Sequence, residues 1–147
     1  MTSTTQAEAK ALVPTVYITR HMEKEAGDDP VLSAEGQANA KRLAEVLRDK
    51  AIDAIFVTAT RRSRMTAEPL AAATGARLET YDPKDNAALV AKVAGVPGSV
   101  LVVGHSNTVP GLVAAFGGQA PGPMDESDFG RLFAVSRADG TTVESRP

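Results

Sequence analysis

Hydrophobic positions along the chain fall into short apolar runs alternating with segments of helical spacing. Thr15–Thr19, Asp53–Thr58, Arg77–Tyr81 and Ser99–Val103 are strand-length runs rich in β-branched and aromatic residues, bounded by Pro, Gly or polar positions. Ser33 is placed to N-cap a helix reaching about Lys50, with Ala40, Leu43, Ala44 and Leu47 at i, i+3, i+4 and i+7 as its buried stripe. Further helices are predicted over Arg62–Thr74, closed by Gly75, over Asn86–Ala94, closed by Gly95 and Pro97, and over Asn107–Phe116, with Pro110 tolerated in the first turn. Arg131–Ser136 and Thr141–Ser145 read as a final hairpin about Ala138-Asp139-Gly140, where Asp-Gly is a strong turn signal. Strands alternating with helices predict an α/β fold: a three-layer α/β/α sandwich with a mostly parallel central sheet and an antiparallel edge strand. Residues 1–13, rich in Thr, Ala and Gln, are expected to be a mobile tail, and 14–147 a single domain.

Composition narrows the function classes. Hydrophobic residues make up 43% and charged residues 23% of the 147, ordinary for a soluble globular chain. A formal net charge of -2 implies no general attraction to nucleic acid or membrane surfaces, so any basic site must be local. Aromatic residues are only 4%, and the basic cluster is one turn long, so nucleic acid is not an expected partner. No apolar run is long enough to span a bilayer, so no membrane partner is expected either. The absence of cysteine excludes disulfides and thiolate catalysis. The polar N-terminus does not read as a signal peptide, which makes the cytoplasm the default compartment, with a secreted or periplasmic location the alternative if a signal peptide has been removed.

Candidate chemistry sits where strands end. The two histidines each follow an apolar strand, in Thr19-Arg20-His21 and Val103-Gly104-His105. In an open α/β sheet, ligands bind beyond the carboxyl ends of the strands. A neutral imidazole can attack phosphorus, and a guanidinium offers a planar fork of donors to phosphate oxygens. Thr58-Ala59-Thr60-Arg61-Arg62-Ser63-Arg64 clusters three arginines at a helix start, where free N–H groups already favour an anion. Of these, Arg62 is expected to face inward. Gly104 permits close approach of backbone to a ligand, and Asn107 and Thr108 could add donors at the next helix start. Taken one at a time, each segment also fits a plain structural role: residues capping carbonyls, a solvated basic turn, a satisfied core histidine.

Together the segments resemble the histidine phosphatase superfamily, the phosphoglycerate-mutase-like group. Arg20-His21 matches the family's Arg-His-Gly-type motif, with Met22 where a glycine or small residue is usual. Thr58, followed by Arg62-Ser63-Arg64-Met65-Thr66-Ala67, resembles its second motif with conservative departures, and Gly104-His105 its third. Leu32-Ser33-Ala34-Glu35-Gly36 is similar to the family's Leu-Thr/Ser-x-x-Gly helix start. The resemblance implies that His21 is a nucleophile that becomes phosphorylated, that Arg20, Arg62 and His105 hold the phosphoryl oxygens, and that neither metal nor cofactor is required. It also implies hydrolysis rather than mutase chemistry, because the long insertions of the larger members are missing. The substrate would be a phosphorylated small molecule or a phosphoprotein, the small size being most similar to the bacterial phosphohistidine-protein phosphatases.

The general acid is less marked. Glu23 and Asp82 are the leading candidates, with Glu79 and Asp85 behind them, and each could equally be a solvated carboxylate. Three rival readings differ in class. Gly104-His105-Ser106-Asn107-Thr108 superficially matches a nucleophile elbow, but no histidine follows Ser106 and Thr108 replaces the second glycine. A metal site on His21, His105 and Glu23 would set a cation beside arginines. A weak or inactive phospho-ligand binding module would keep the phosphate contacts and dispense with the acid.

Overall fold

The structure, a computed structural model, describes residues 13–147. All of the expected tail except Val13 therefore lies outside the described residues. The sheet is built from β1 (Thr15–Arg20), β2 (Ile52–Val57), β3 (Arg77–Thr80), β4 (Ser99–Gly104), β5 (Leu132–Ser136) and β6 (Thr142–Ser145). The helices are α1 (Ala34–Leu47), α2 (Arg61–Thr74), α3 (Asn86–Ala94) and α4 (Val109–Ala115). Strand order is β3-β2-β4-β1-β5-β6, with the first four parallel and β5 and β6 antiparallel at one edge.

Side-chain caps fix where α1, α2 and α3 begin. The Ser33 side chain caps α1 by accepting from Gly36 N–H, Thr60 caps α2 by accepting from Ser63 N–H, and Asp85 caps α3 by accepting from Ala88 N–H. Gly75 ends α2 in the left-handed region, at φ 73°. The stripe Ala40, Leu43, Ala44 and Leu47 is buried and packs with Ala67 and Leu70 of α2 on one face of the sheet. Leu89 and Val93 of α3 pack with Val109, Leu112 and Val113 of α4 on the other. This is the expected three-layer sandwich.

Two boundaries differ from the sequence reading by more than one residue. α4 begins at Val109 rather than Asn107, because His105–Thr108 is spent on a turn in which Thr108 and Val109 N–H both donate to His105 O. α1 ends at Leu47 rather than near Lys50. Among the described residues, no helix is long and apolar enough to cross a membrane.

The topology decides where a ligand can sit. The chain runs from β1 outward through β2 to β3, with α1 and α2 on one face, then returns to place β4 between β2 and β1, with α3 on the other face. Right-handed crossovers travelling in opposite directions must use opposite faces. The strand order therefore reverses between β1 and β4, and a crevice opens at their carboxyl ends.

Candidate active site

His21 and His105 are neighbours because β1 and β4 pair in parallel, with Arg20 opposite Gly104. Each histidine is the next residue beyond that pair. His21 N–H donates to Gly104 O at 2.9 Å, so the pairing continues one step past the sheet, and the ring centroids lie 5.2 Å apart. An open cavity of about 690 Å³ lies above them.

The proton positions on His21 follow from its partner. Nδ1 is 2.8 Å from Met22 O, and a carbonyl can only accept, so Nδ1 carries the hydrogen and Nε2 keeps its lone pair. Burial, aided by the nearby His105, Arg20 and Arg62, pushes the His21 pKa down to about 3. His105 is pushed down to about 4 by burial, Arg62 and Arg20. At neutral pH both imidazoles are uncharged, and His21 presents a free nitrogen rather than an imidazolium. His105 Nε2 is 2.9 Å from Thr58 Oγ1. Thr108 Oγ1 accepts from His105 N–H at 2.9 Å, so its hydroxyl positions His105 as well as lining the cavity. Gly104 allows this tight turn: a Cβ there would stand 2.9 Å from Leu112 Cδ1 and 3.0 Å from Thr108 Oγ1.

Arg20 is 2% exposed. Its Nη1 donates to the carbonyls of Asp125, Glu126 and Asp128, its guanidinium lies 3.9 Å from the Phe129 ring centroid, and Nε is buried without a partner. Arg62 lines the cavity, and its Nε is likewise buried and unpartnered. Arg61 turns the other way, donating to Asp29 O through Nε and Nη2, and Arg64 is exposed. α2 is tied to the His21 loop through Thr66, which is fully buried; its hydroxyl accepts from Met22 N–H and donates to Arg62 O. Met22, in the place of the family's small residue, sends its side chain into the core beside Leu32 and Leu43. It leaves the loop's approach to the cavity unobstructed.

The structure thus brings together Arg20, His21, Arg62, His105, Asn107 and Thr108 around one cavity. It does not bring Glu23 or Asp82 there. Glu23 Oε1 accepts from Asn39, in a separate depression. Asp82 Oδ1 accepts from Lys84 N–H in a local turn. Glu79 is paired with Arg77, and Asp85 is spent on its cap. The sequence reading missed three charged residues at the rim: Lys24, Lys84 and Glu126. Glu126 is the only carboxylate that lines the cavity among the described residues. The run Asp125-Glu126-Ser127-Asp128 signals only a polar loop; what draws it in is Arg20, more than a hundred residues earlier in the chain. Among the described residues, no group of three His, Cys, Asp or Glu is arranged to hold a metal ion.

Residues 16–83 match the family model of the histidine phosphatase superfamily, branch 1. The chain resembles that superfamily in motifs and in fold. Solved structures agree on the fold. The protein histidine phosphatase SixA, complexed with tungstate, is 21% identical, with 89% of this chain and 94% of that one covered at a TM-score of 0.67. A mycobacterial glucosyl-3-phosphoglycerate phosphatase in complex with inorganic phosphate is 17% identical, covering 90% and 95%, also at 0.67. YhfR of Bacillus stearothermophilus is 16% identical, covering 90% and 96% at 0.66. No curated protein matches the sequence.

Proposed function

We propose that this protein is a phosphatase that hydrolyses a phosphomonoester or phosphoramidate through a phosphohistidine on His21. The observation that carries the reading is the meeting of two neutral imidazoles, ring centroids 5.2 Å apart, in a cavity walled by two arginines. His21 Nε2 attacks phosphorus; the N–P bond forms as the bond to the leaving oxygen or nitrogen breaks. Arg20, Arg62 and His105 hold the equatorial oxygens, where charge accumulates in the transition state. Water then attacks the phosphorus of phospho-His21, the N–P bond breaks, and inorganic phosphate and free imidazole return. The tungstate in the SixA structure and the phosphate in the mycobacterial one are oxyanions of the geometry this cavity would hold.

Rapid quenching during turnover of a 32P-labelled ester tests the reading. The expected label survives alkali, is lost in acid, and is missing from His21→Ala, because phosphoramidates are acid-labile. An acid-stable label overturns the assignment. Turnover is expected to persist in EDTA, and a requirement for added Mg²⁺ or Zn²⁺ overturns the metal-free scheme. The position of Glu23 and Asp82 outside the cavity favours a second reading, a binding module for phosphorylated ligands. Turnover of 4-nitrophenyl phosphate by wild type but not by His21→Ala rejects it; phosphate binding without turnover supports it.

A further inference from the structure

The cavity has a nucleophile at its floor and one carboxylate at its mouth. His21 is 2% exposed, whereas the Glu126 side chain is 86% exposed. An in-line displacement sends the leaving group away from the attacking nitrogen, toward the mouth. Glu126 is held there at three points. Its carbonyl accepts from Arg20 Nη1 at 3.0 Å, Oε1 accepts from Ser106 Oγ at 3.1 Å, and Oε2 lies 3.6 Å from Arg20 Nη2. Ser106 directly follows His105, so the carboxylate is fastened to both phosphate-holding loops. Other carboxylates near the site are spent elsewhere, as described for Glu23 and Asp82.

We propose that Glu126 is the catalytic proton donor to the leaving oxygen and the acceptor of the water proton in the second step. This rests on the phosphatase reading above. In the first step the proton passes from the Glu126 carboxyl to the leaving oxygen as the P–O bond breaks, leaving a carboxylate and phospho-His21. In the second, that carboxylate takes a proton from water as the water oxygen bonds to phosphorus, and the carboxyl is restored. The same group serves both directions, as reversibility of the proton transfer requires. Glu126 lines the cavity from the loop before β5, apart from Glu23 and Asp82, the carboxylates the sequence singles out.

The test compares Glu126→Gln with wild type over phosphate esters ranging from 4-nitrophenyl, an acidic leaving group, to alkyl, a basic one. The readout is the dependence of kcat/KM on leaving-group acidity. Glu126→Gln is expected to lose on the order of 10²-fold or more on the alkyl ester and far less on 4-nitrophenyl phosphate, giving a steeper dependence. A uniform loss across the series means that Glu126 only positions Arg20 and overturns the proposal, as does no loss. Equally steep dependence in wild type and variant overturns it while leaving the phosphatase reading intact. Failure of wild type to turn over any ester overturns the phosphatase reading and this role with it.

Discussion

Gly36→Ala sets helix propensity against tertiary packing. Gly36 is the third residue of α1, and alanine is favoured over glycine inside a helix by up to about 1 kcal/mol. Propensity alone predicts a modest gain in stability. The structure predicts the opposite. A Cβ at Gly36 would overlap the carbonyl oxygen of Glu23 and stand 2.9 Å from its carbonyl carbon and 3.0 Å from its nitrogen. These are backbone atoms, which no rotamer change can move aside. Glu23 O also accepts from Ser33 N–H at 3.0 Å and Ser33 Oγ at 3.2 Å, while Ser33 Oγ accepts from Gly36 N–H at 3.1 Å. Pushing the carbonyl away therefore loosens the α1 cap as well. Overpacking costs roughly 1–3 kcal/mol and a damaged cap about 1, so the net expectation is a loss of roughly 1–3 kcal/mol.

The same displacement reaches the nucleophile. Glu23 is two residues past His21, and Met22 N–H between them is bonded to Thr66. A shift on the order of 1 Å at a catalytic group can cost about 10²-fold in rate. Urea denaturation gives the stability change, and kcat/KM on 4-nitrophenyl phosphate gives the displacement. A variant as stable and as active as wild type would refute the packing argument. It would show that the Leu32–Gly36 segment carries its glycine for some reason other than the approach of Glu23.

The remaining predictions concern charge. Arg62→Ala should lower kcat/KM by about 10²–10³-fold, the usual loss on removing one oxyanion donor, whereas Arg61→Ala and Arg64→Ala should have small effects because those side chains point away; equal effects would contradict the geometry. Arg20→Lys should destabilise by roughly 1–3 kcal/mol in a thermal or urea melt, since a compact ammonium cannot both serve the carbonyls bonded by Nη1 and replace the planar guanidinium over Phe129, and a neutral result would show that the loop is held by other contacts. Unfolded His21 takes up its proton near pH 6.5 but the folded protein only near pH 3, so the contribution of His21 is complete above 6.5 and is lost as pH falls through that window. Between pH 7.5 and 4.5 wild type should lose roughly 2 kcal/mol more than His21→Gln, allowing for screening at the open mouth; parallel pH profiles would refute it.

These charge effects share one cause. Two arginines and two histidines meet on a chain whose formal net charge is -2. Four positive charges in one partly buried crevice would repel strongly. Burial and the arginines resolve this by keeping both imidazoles neutral, so these four residues contribute two permanent charges instead of four. Glu126 lies 3.6 Å from one of them. What is left is a positive floor with an uncharged nucleophile, the electrostatic condition for attack on an anionic phosphorus centre.

The sequence made the elements legible because they are local. Apolar runs, caps and the Ala40–Leu47 stripe depend on residues within one or two turns of each other, and the structure reproduces them. The strand order is not local. Ser99–Val103 is the most hydrophobic run and does lie inside the sheet, but nothing in that run says that its neighbour is β1, and only that pairing sets His21 beside His105. The start of α4 was misplaced for a related reason: Asn107 and Thr108 have helix-compatible neighbours, yet Thr108 is occupied in fixing the His105 turn. Glu126 was invisible because its importance comes from Arg20, across 106 positions of chain. Glu23 lies two residues past His21 and Asp82 in the stretch after the Arg62 motif, yet Asn39 and a local turn hold their carboxylates away from the cavity. What separates Glu126 from Glu23 and Asp82 is which groups hold it: its carboxylate accepts from Ser106 and lies beside Arg20, both of which line the cavity, whereas Glu23 and Asp82 are held by Asn39 and by a local turn.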